Sequence, residues 1–268
     1  MKHKFLFILL FSLVLEGMVT TQAVAGDYVH QVNTLIGTKG TGLTSGYLYP
    51  GATYPYGMVQ FTPSYFSKRS GFVINQLSGG GCEHMGNFPT FPVKGKLKMS
   101  PDNILNYRIN VSEERGHAGY YEAMVQEDIK AKLTVTERTG MASYEYPADQ
   151  QYGTIIIGGG ISATPIEQAA IVITAPNKCE GYAEGGNFCG LRTPYKVYFV
   201  AEFDTDAFET GTWKREELMP NTTFAEGEYS GVYFTFDVNK KKNIQYKIGV
   251  SYVSVENARE NLKAENAE

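Results

Sequence analysis

Apolar and polar residues alternate along most of the chain beyond residue 93, which is the pattern of β-strands with one buried face. The clearest run is 129–136, where apolar residues take every second position and lysine or threonine fills the others. Similar patterns predict further strands over 120–126, 141–146, 154–157, 169–174, 195–203, 231–237 and 244–254. Because no amphipathic helical pattern separates them, the sequence predicts an all-β fold, a large antiparallel β-sandwich.

The last residues follow a different period. Val255, Ala258 and Leu262 recur at intervals of three and four, which predicts a short C-terminal helix with one apolar side. Such a helix either packs back on the sandwich or leads into a further domain. The residues alone leave both alternatives open.

The first 25 residues have the three parts of a secretory signal peptide. Lys2 and Lys4 precede an apolar run over 5–15, and an Ala-Val-Ala sequence at 23–25 provides a cleavage site. We therefore predict a signal peptide over 1–25 and a secreted or periplasmic protein. No later segment has 18 continuous apolar residues, so no membrane association is expected after cleavage.

The charge and the cysteines limit the classes of partner and metal. A net charge of −4 offers no basic surface for nucleic acid. An oxidising compartment would allow one disulfide among Cys82, Cys179 and Cys189, and the sequence does not select the pair. The only local pair of metal-ligand type is Cys82 with His84, so no metal site is predicted.

Acidic residues are the first candidates for catalysis in an exported protein, because glycoside hydrolysis uses two carboxylates. None of the acids assigned to loops has a spacing that indicates catalysis, and each is interpreted as a surface acid: Glu83, Glu180, Glu184, Asp204 and Asp206. No catalytic residue is predicted on this chain.

Two glycine-rich stretches are the second candidates. Residues 78–82 and 185–190 each place a cysteine after or within a glycine-rich sequence. Glycine allows a ligand to approach the backbone closely, although each stretch alone is also typical of a turn. Neither ends in the Gly-Lys-Ser/Thr sequence of a phosphate-binding loop.

Several ordered motifs together resemble the N-terminal part of glycoside hydrolase family 92, the exo-acting α-mannosidases of bacteria. They span nearly all of the chain after the signal peptide and lie at 32–38, 49–60, 77–82, 119–121, 136–140, 186–190 and 195–199.

The resemblance implies a two-part enzyme: an N-terminal β-sandwich, a helical linker and an (α/α)₆ toroid. It places the acid, the base and the ligands of an essential calcium ion in the helical part, so no cofactor is expected on this chain, and the reaction inverts the anomeric configuration. The sandwich would contribute loops to the mannose pocket, and the expected sugar-binding residues are Ser78, Gly80, Cys82, Phe188, Cys189 and Gly190.

We interpret the chain as the sandwich domain, over 26–254, of such an enzyme, followed by the start of the linker helix over 255–268, and as either a truncated product or one piece of a split enzyme. Its expected partners are α-mannoside glycans and a separate helical catalytic domain. The helix would then expose an apolar surface, and the chain alone would be inactive. The alternatives are a stand-alone exported carbohydrate-binding or adhesion module, and a structural sandwich that binds no ligand.

Overall fold

A computed structural model describes residues 28, 31–38, 48–64, 71–82, 84–102 and 110–267. The predicted signal peptide lies outside these residues, as does Glu83. The strands of the first part are β1 (Ala52–Thr53), β2 (Gln60–Pro63), β3 (Phe72–Val73), β4 (Thr90–Lys94), β5 (Val111–His117), β6 (Tyr120–Val125), β7 (Ile129–Val135), β8 (Thr139–Glu145) and β9 (Tyr152–Gly158). They are followed by β10 (Ile166–Ala175), β11 (Lys178–Gly185), β12 (Tyr195–Phe203), β13 (Glu209–Lys214), β14 (Glu217–Pro220), β15 (Phe224–Glu226), β16 (Ser230–Asp237), β17 (Asn243–Ser251) and helix α1 (Val255–Glu265).

The strands form two sheets, and neighbouring strands run antiparallel. The smaller sheet has the order β1-β2-β3-β4-β9-β16-β13-β14, and the larger has the order β15-β10-β11-β12-β17-β8-β7-β6-β5. This confirms the predicted all-β sandwich with one short C-terminal helix. The eight predicted strands are β6 to β10, β12, β16 and β17.

The core lies between the two sheets and consists of the side chains at alternate strand positions. In β7, Ile129, Ala131 and Leu133 are at most 1% exposed, as their alternation predicted. The ring of Phe203 in the larger sheet lies 4.7 Å from that of Phe234 in the smaller one, which brings the two layers into direct contact. Burial of such apolar area is the main force that holds the sheets together.

Strand β11 corrects part of the sequence interpretation, because it places Glu180 and Glu184 in a strand and not in loops. Their neighbours Gly181 and Ala183 occupy the buried positions, so the apolar alternation is weak. A Cβ on Gly181 would come within 2.2 Å of the carbonyl oxygen of Ala170 in β10. A close approach of two backbones therefore requires glycine where a hydrophobic residue would have revealed the strand.

Helix α1 begins after Ser254, whose side chain accepts a hydrogen bond from the backbone N–H of Asn257. Its apolar side chains Ala258 and Leu262 are buried against Val200 on the outer face of β12. The expectation of an exposed apolar helix surface is therefore wrong, because the sandwich itself covers that side of the helix. Gly249 of β17 makes this packing possible, since a Cβ there would lie 2.8 Å from that of Leu262.

Polar contacts fix the C-terminal half of α1 on the sheet. Asn261 donates from its side chain to the carbonyl oxygen of Val250 over 2.8 Å. The carboxylate of Glu265 accepts hydrogen bonds from the Thr136 hydroxyl, from the Arg138 side chain and, over 2.9 Å, from the Arg138 backbone N–H. Within the described residues, no helix has the length and apolar character needed to cross a membrane.

Candidate functional site

A disulfide bond joins two loops that come from different sheets. Cys82 ends the glycine-rich loop 77–82 after β3, and Cys189 lies in the loop 186–194 between β11 and β12. The two residues are separated by 107 positions in the sequence, and their Cα atoms are 5.4 Å apart. We call these two loops the loop pair. The remaining cysteine, Cys179, is a free thiol buried in the core.

His84 lies beneath the loop pair and contacts both loops. Its Nδ1 is 2.7 Å from the carbonyl oxygen of Cys82, so the proton lies on Nδ1 and is donated to that carbonyl. Its ring meets the ring of Phe188 at a centroid distance of 4.8 Å. A Cβ on Gly80 would come within 2.3 Å of the imidazole Cε1, so only glycine leaves room for the histidine here. Cys82 and His84 therefore shape a loop. The sulfur of Cys82 is not free to act as a metal ligand, because it forms the disulfide.

Buried polar side chains fix the segment that follows His84. Asn75 accepts from the Asn87 backbone N–H over 2.7 Å, and the Tyr195 hydroxyl donates to the Asn87 side chain over 2.7 Å. The side chain of Gln76 donates to the His84 carbonyl over 2.8 Å. Burial raises the pKa of Tyr195 well above its ordinary value, so its hydroxyl remains a donor. These bonds hold the base of the loop pair rigidly on the sandwich.

The tip of the loop 186–194 presents the ring of Phe188 and a stretch of backbone that no neighbouring atoms cover. Phe188 is 39% exposed, and its backbone N–H and carbonyl both bond to Leu191 over 2.9 Å, which closes a tight turn. Inside the turn, Cys189 and Gly190 have φ values of 53° and 83°, in the left-handed region. No atom lies within 4 Å of the position of a Cβ on Gly190, so a ligand can approach the backbone there.

Ser78 faces a different part of the surface. Its hydroxyl accepts from the Gln60 side chain over 2.9 Å and from the Tyr49 backbone N–H over 3.3 Å. It lines a cavity of about 230 Å³ together with Thr34 and His117, which we call the edge cavity. All six predicted sugar-binding residues therefore lie in the loop pair, and the side chain of Ser78 also lines the edge cavity.

The residues beneath the loop pair were not predicted from the sequence. Asn75, Asn87 and Tyr195 had no recognisable spacing, because their contact depends on the fold. His84 was considered only as a metal ligand beside Cys82. Its position two residues after a cysteine in a glycine-rich stretch was the available signal, and the structure gives it a supporting role.

The described acids singled out in the sequence are at the surface. Glu180 pairs with Arg259 at 2.6 Å, and Glu184 pairs with Lys196 at 3.4 Å. Asp204 pairs with a lysine at 2.8 Å, and Asp206 is exposed. Among the residues that the structure describes, no group of three or more His, Cys, Asp and Glu side chains is arranged to hold a metal ion.

Known proteins share both the sequence features and the fold. The curated "Uncharacterized secreted glycosidase" of Arthroderma benhamiae is 24% identical over 95% of this chain and 37% of its own length. The solved GH92 family glycosyl hydrolase CcMan5 superposes with a TM-score of 0.76 at 22% identity, over 89% of this chain and 34% of that one. The family GH92 alpha-mannosidase BT3965 from Bacteroides thetaiotaomicron gives a TM-score of 0.74 at 24% identity, over 90% of this chain and 35% of that one.

The chain thus spans about a third of the length of the proteins that it matches. The solved structures establish the likeness of the fold. The model of the glycosyl hydrolase family 92 N-terminal domain matches residues 31–251, which is most of the sequence and includes both members of the loop pair. The chain therefore belongs to glycosyl hydrolase family 92, as a member of its N-terminal domain family.

Proposed function

We propose that this chain is the carbohydrate-interacting N-terminal domain of a family 92-like exo-α-mannosidase, and that it supplies loops to the sugar pocket but not the catalytic acid or base. The loop pair is the observation that carries the proposal. Two sheets contribute one loop each to a single surface, and a disulfide and a buried histidine fix that surface. Relatives of similar fold are named glycosyl hydrolase and alpha-mannosidase, which supports the substrate class.

The chemistry of the loop tip fits recognition of a sugar. The exposed ring of Phe188 offers an apolar face to the C–H groups of a pyranose, and the open backbone at Cys189 and Gly190 offers hydrogen-bonding groups to its hydroxyls. Rigid loops lower the entropy cost of ordering the site when ligand binds. The role that we assign to this chain is therefore to bind and orient the terminal mannose.

Hydrolysis would depend on groups outside this chain. An inverting reaction needs a general acid and a water-activating base about 6.5 to 9.5 Å apart. Glu180, Glu184 and Asp204 are engaged in surface ion pairs, which supports a binding role for this chain and not a catalytic one. We place the acid, the base and the calcium site in a helical domain, which would be the protein partner of this chain.

We also propose that the chain is exported. The signal-like residues 1–25, the disulfide and the description of the Arthroderma benhamiae relative as secreted support a secreted or periplasmic location.

One observation favours the alternative of a stand-alone carbohydrate-binding or adhesion module. The apolar side of α1 is covered by β12 and β17, so the helix needs no second domain to bury Ala258 and Leu262. The two functions predict different effects of a helical family 92 domain on the affinity for mannosides. A pocket-forming domain should bind mannosides weakly alone and more tightly when that domain is supplied, whereas a stand-alone module should bind equally well in both conditions.

The proposal is tested by titrating the purified chain with methyl α-D-mannopyranoside and following the Gly190 amide by NMR. We expect a saturable shift with millimolar affinity, and Phe188→Ala should weaken binding about tenfold because the sugar loses its apolar contact. Leu191→Ala is the matched control, since Leu191 is in the same turn and is 69% exposed. The ring that contacts His84 belongs to Phe188 and is kept in this control. We also expect no hydrolysis of an aryl α-mannoside by the chain with calcium.

Three results would count against the proposal. Turnover above background that persists after removal of contaminating enzymes would show that the chain is itself catalytic. A Gly190 amide that does not move at saturating mannoside would remove the loop pair as a sugar site. Equal weakening by Phe188→Ala and Leu191→Ala would attribute the effect to the fold of the turn.

A further inference from the structure

The disulfide of the loop pair lies at the surface of the protein. Cys189 is exposed and Cys82 is partly exposed, whereas the free thiol Cys179 is 0% exposed. Exposed disulfides are the ones that exchange with small thiols, because the attacking sulfur must reach one of the two bonded sulfur atoms. The loop pair therefore contains a cross-link that a dissolved thiol can approach, and the core contains a thiol that it cannot.

The disulfide is the main direct connection between the two loops. The sulfur of Cys189 lies 3.7 Å from the carbonyl oxygen of Gly80, but a disulfide sulfur has no proton to donate. Within the described residues, no hydrogen bond therefore joins loop 77–82 to loop 186–194. No atom lies within 4 Å of the position of a Cβ on Gly79, Gly81 or Gly190, so the tips of both loops are unpacked.

The ends of both loops are fixed on the sandwich. Gln76 and His84 are 0% and 2% exposed, and the Gln76 side chain bonds to the His84 carbonyl. Gly185 pairs with Tyr195 across β11 and β12, which closes the base of loop 186–194. Gly186 follows with a φ of 137°, a conformation that favours glycine. Opening of the disulfide would thus release the loop tips and leave the strands beneath them in place.

The sugar-binding groups lie on the part that would be released. The turn from Phe188 to Leu191 keeps its own two backbone hydrogen bonds, so it would move as a unit. Without the cross-link, the described contact that holds the ring of Phe188 above the sandwich is the one with His84. A sugar would then have to order both loops as it binds, and this ordering costs affinity.

We propose that the Cys82–Cys189 disulfide is a redox switch, which orders the loop pair when oxidised and releases it when reduced, so that a small thiol controls sugar binding. The inference rests on the proposed function for the ligand.

The reductant is a low-molecular-mass thiol, and two molecules supply the two electrons. The first attacks one sulfur atom, which breaks the S–S bond and forms a mixed disulfide, and the other cysteine leaves as a thiolate. The second attacks the mixed disulfide and releases the remaining cysteine. The protons of the two thiols end on Cys82 and Cys189, the reductant leaves as its own disulfide, and that disulfide can reverse the reaction.

The first test treats the purified chain with reduced glutathione in the absence of denaturant. The chain is then alkylated with N-ethylmaleimide, and the adducts are counted by mass spectrometry. We expect two adducts, on Cys82 and Cys189. Cys179 should remain unlabelled, because it is 0% exposed and only unfolding of the sandwich would expose it.

The second test compares the affinity for methyl α-D-mannopyranoside in the two redox states, followed at the Gly190 amide by NMR. We expect the affinity to fall about tenfold on reduction and to recover with oxidised glutathione. The double variant Cys82→Ser with Cys189→Ser should bind as weakly as the reduced wild type in both states. Cys179→Ala is the matched control and should respond to glutathione as the wild type does.

The outcomes separate the switch from the proposed function. If the oxidised chain binds no mannoside, the proposed function is refuted, and amide hydrogen exchange at 188–190 then tests the switch. Faster exchange there on reduction, with unchanged exchange in β7, would support it. Equal exchange or equal mannoside affinity in the two redox states would overturn it. A disulfide that glutathione does not reduce in the folded chain, or labelling of Cys179 together with the other two, would also overturn the inference.

Discussion

The loop pair and helix α1 are both held against the sandwich, but by different means. The loop pair is held by a covalent bond and by a histidine beneath it, and Phe188 at its tip stays 39% exposed. The helix is held by its own side chains, so that Leu262 is only 3% exposed and Glu265 is engaged with Arg138. A covalent attachment leaves side chains available for a ligand, whereas an attachment through packing consumes them. This difference is why we propose a binding role for the loops and a stabilising role for the helix.

Removal of the disulfide should have the largest effect. Cys82→Ser with Cys189→Ser opens a cross-link between residues 107 positions apart, and we expect the free energy of unfolding to fall by about 4 kcal/mol. Denaturant unfolding with and without reductant measures the change. Reductant should destabilise the wild type and leave the double variant unaffected.

Cys179→Ala is the control, because it removes a buried thiol that forms no cross-link. That variant should keep its sensitivity to reductant. If reductant did not change the stability of the wild type, the conclusion that a covalent bond holds the loop pair would be refuted.

Loss of packing at the helix should have the next largest effect. Leu262→Ala leaves a cavity between α1 and β12, and we expect a loss of about 3 kcal/mol. Val253→Ala, at a residue that is 73% exposed, should change stability by less than about 0.5 kcal/mol. The Gly190 amide should shift with mannoside as in the wild type. A changed mannoside affinity in Leu262→Ala would show that the helix and the loop pair are coupled.

Removal of the charge of Glu265 should have the smallest effect and should depend on pH. Burial opposes ionisation, but bonds from Thr136 and Arg138 and the arginine charge outweigh it, so the pKa of this carboxyl lies below its ordinary value. Its contribution to stability is therefore complete above the ordinary glutamate pKa of about 4.3 and is lost as the pH falls through the lower folded value. Glu265→Gln should cost about 1 kcal/mol at neutral pH.

The measurement is denaturant unfolding at neutral pH and at about pH 3, with Glu260→Gln as the control. Glu260 is exposed on the same helix. The difference between wild type and Glu265→Gln should shrink at the lower pH. A difference that stayed constant with pH would assign the effect to packing and not to the ionised carboxylate.

The sequence predicted those parts of the fold that have a local signal. Strand β7 was recognisable because burial of one face imposes alternation, and α1 was recognisable because Ala258 and Leu262 follow a helical period. Strand β11 was missed because its glycines allow close backbone contact and carry no hydrophobic signal. The burial of the apolar side of α1 could not be predicted either, since it depends on Val200 and Gly249 from two other strands.

The candidate site was predictable only in part, because its geometry depends on contacts between distant residues. The glycine-rich sequences indicated where the backbone is open, and the family resemblance brought the two loops into one hypothesis. Nothing local distinguished the pair Cys82–Cys189 from a pair with Cys179, since the choice depends on which loops the sheets bring together. The edge cavity could not be predicted either, because Thr34 and His117 come together only in the folded sandwich.

The disulfide also closes a covalent ring, which runs through the backbone from Cys82 to Cys189 and back across the sulfur atoms. Strands β4 to β11 lie on this ring, and they belong to both sheets. A protease that cuts one peptide bond within the ring cannot release a fragment, because the two new ends remain in the same molecule. The loop that presents Phe188 would thus stay attached to both layers of the sandwich after a single cleavage.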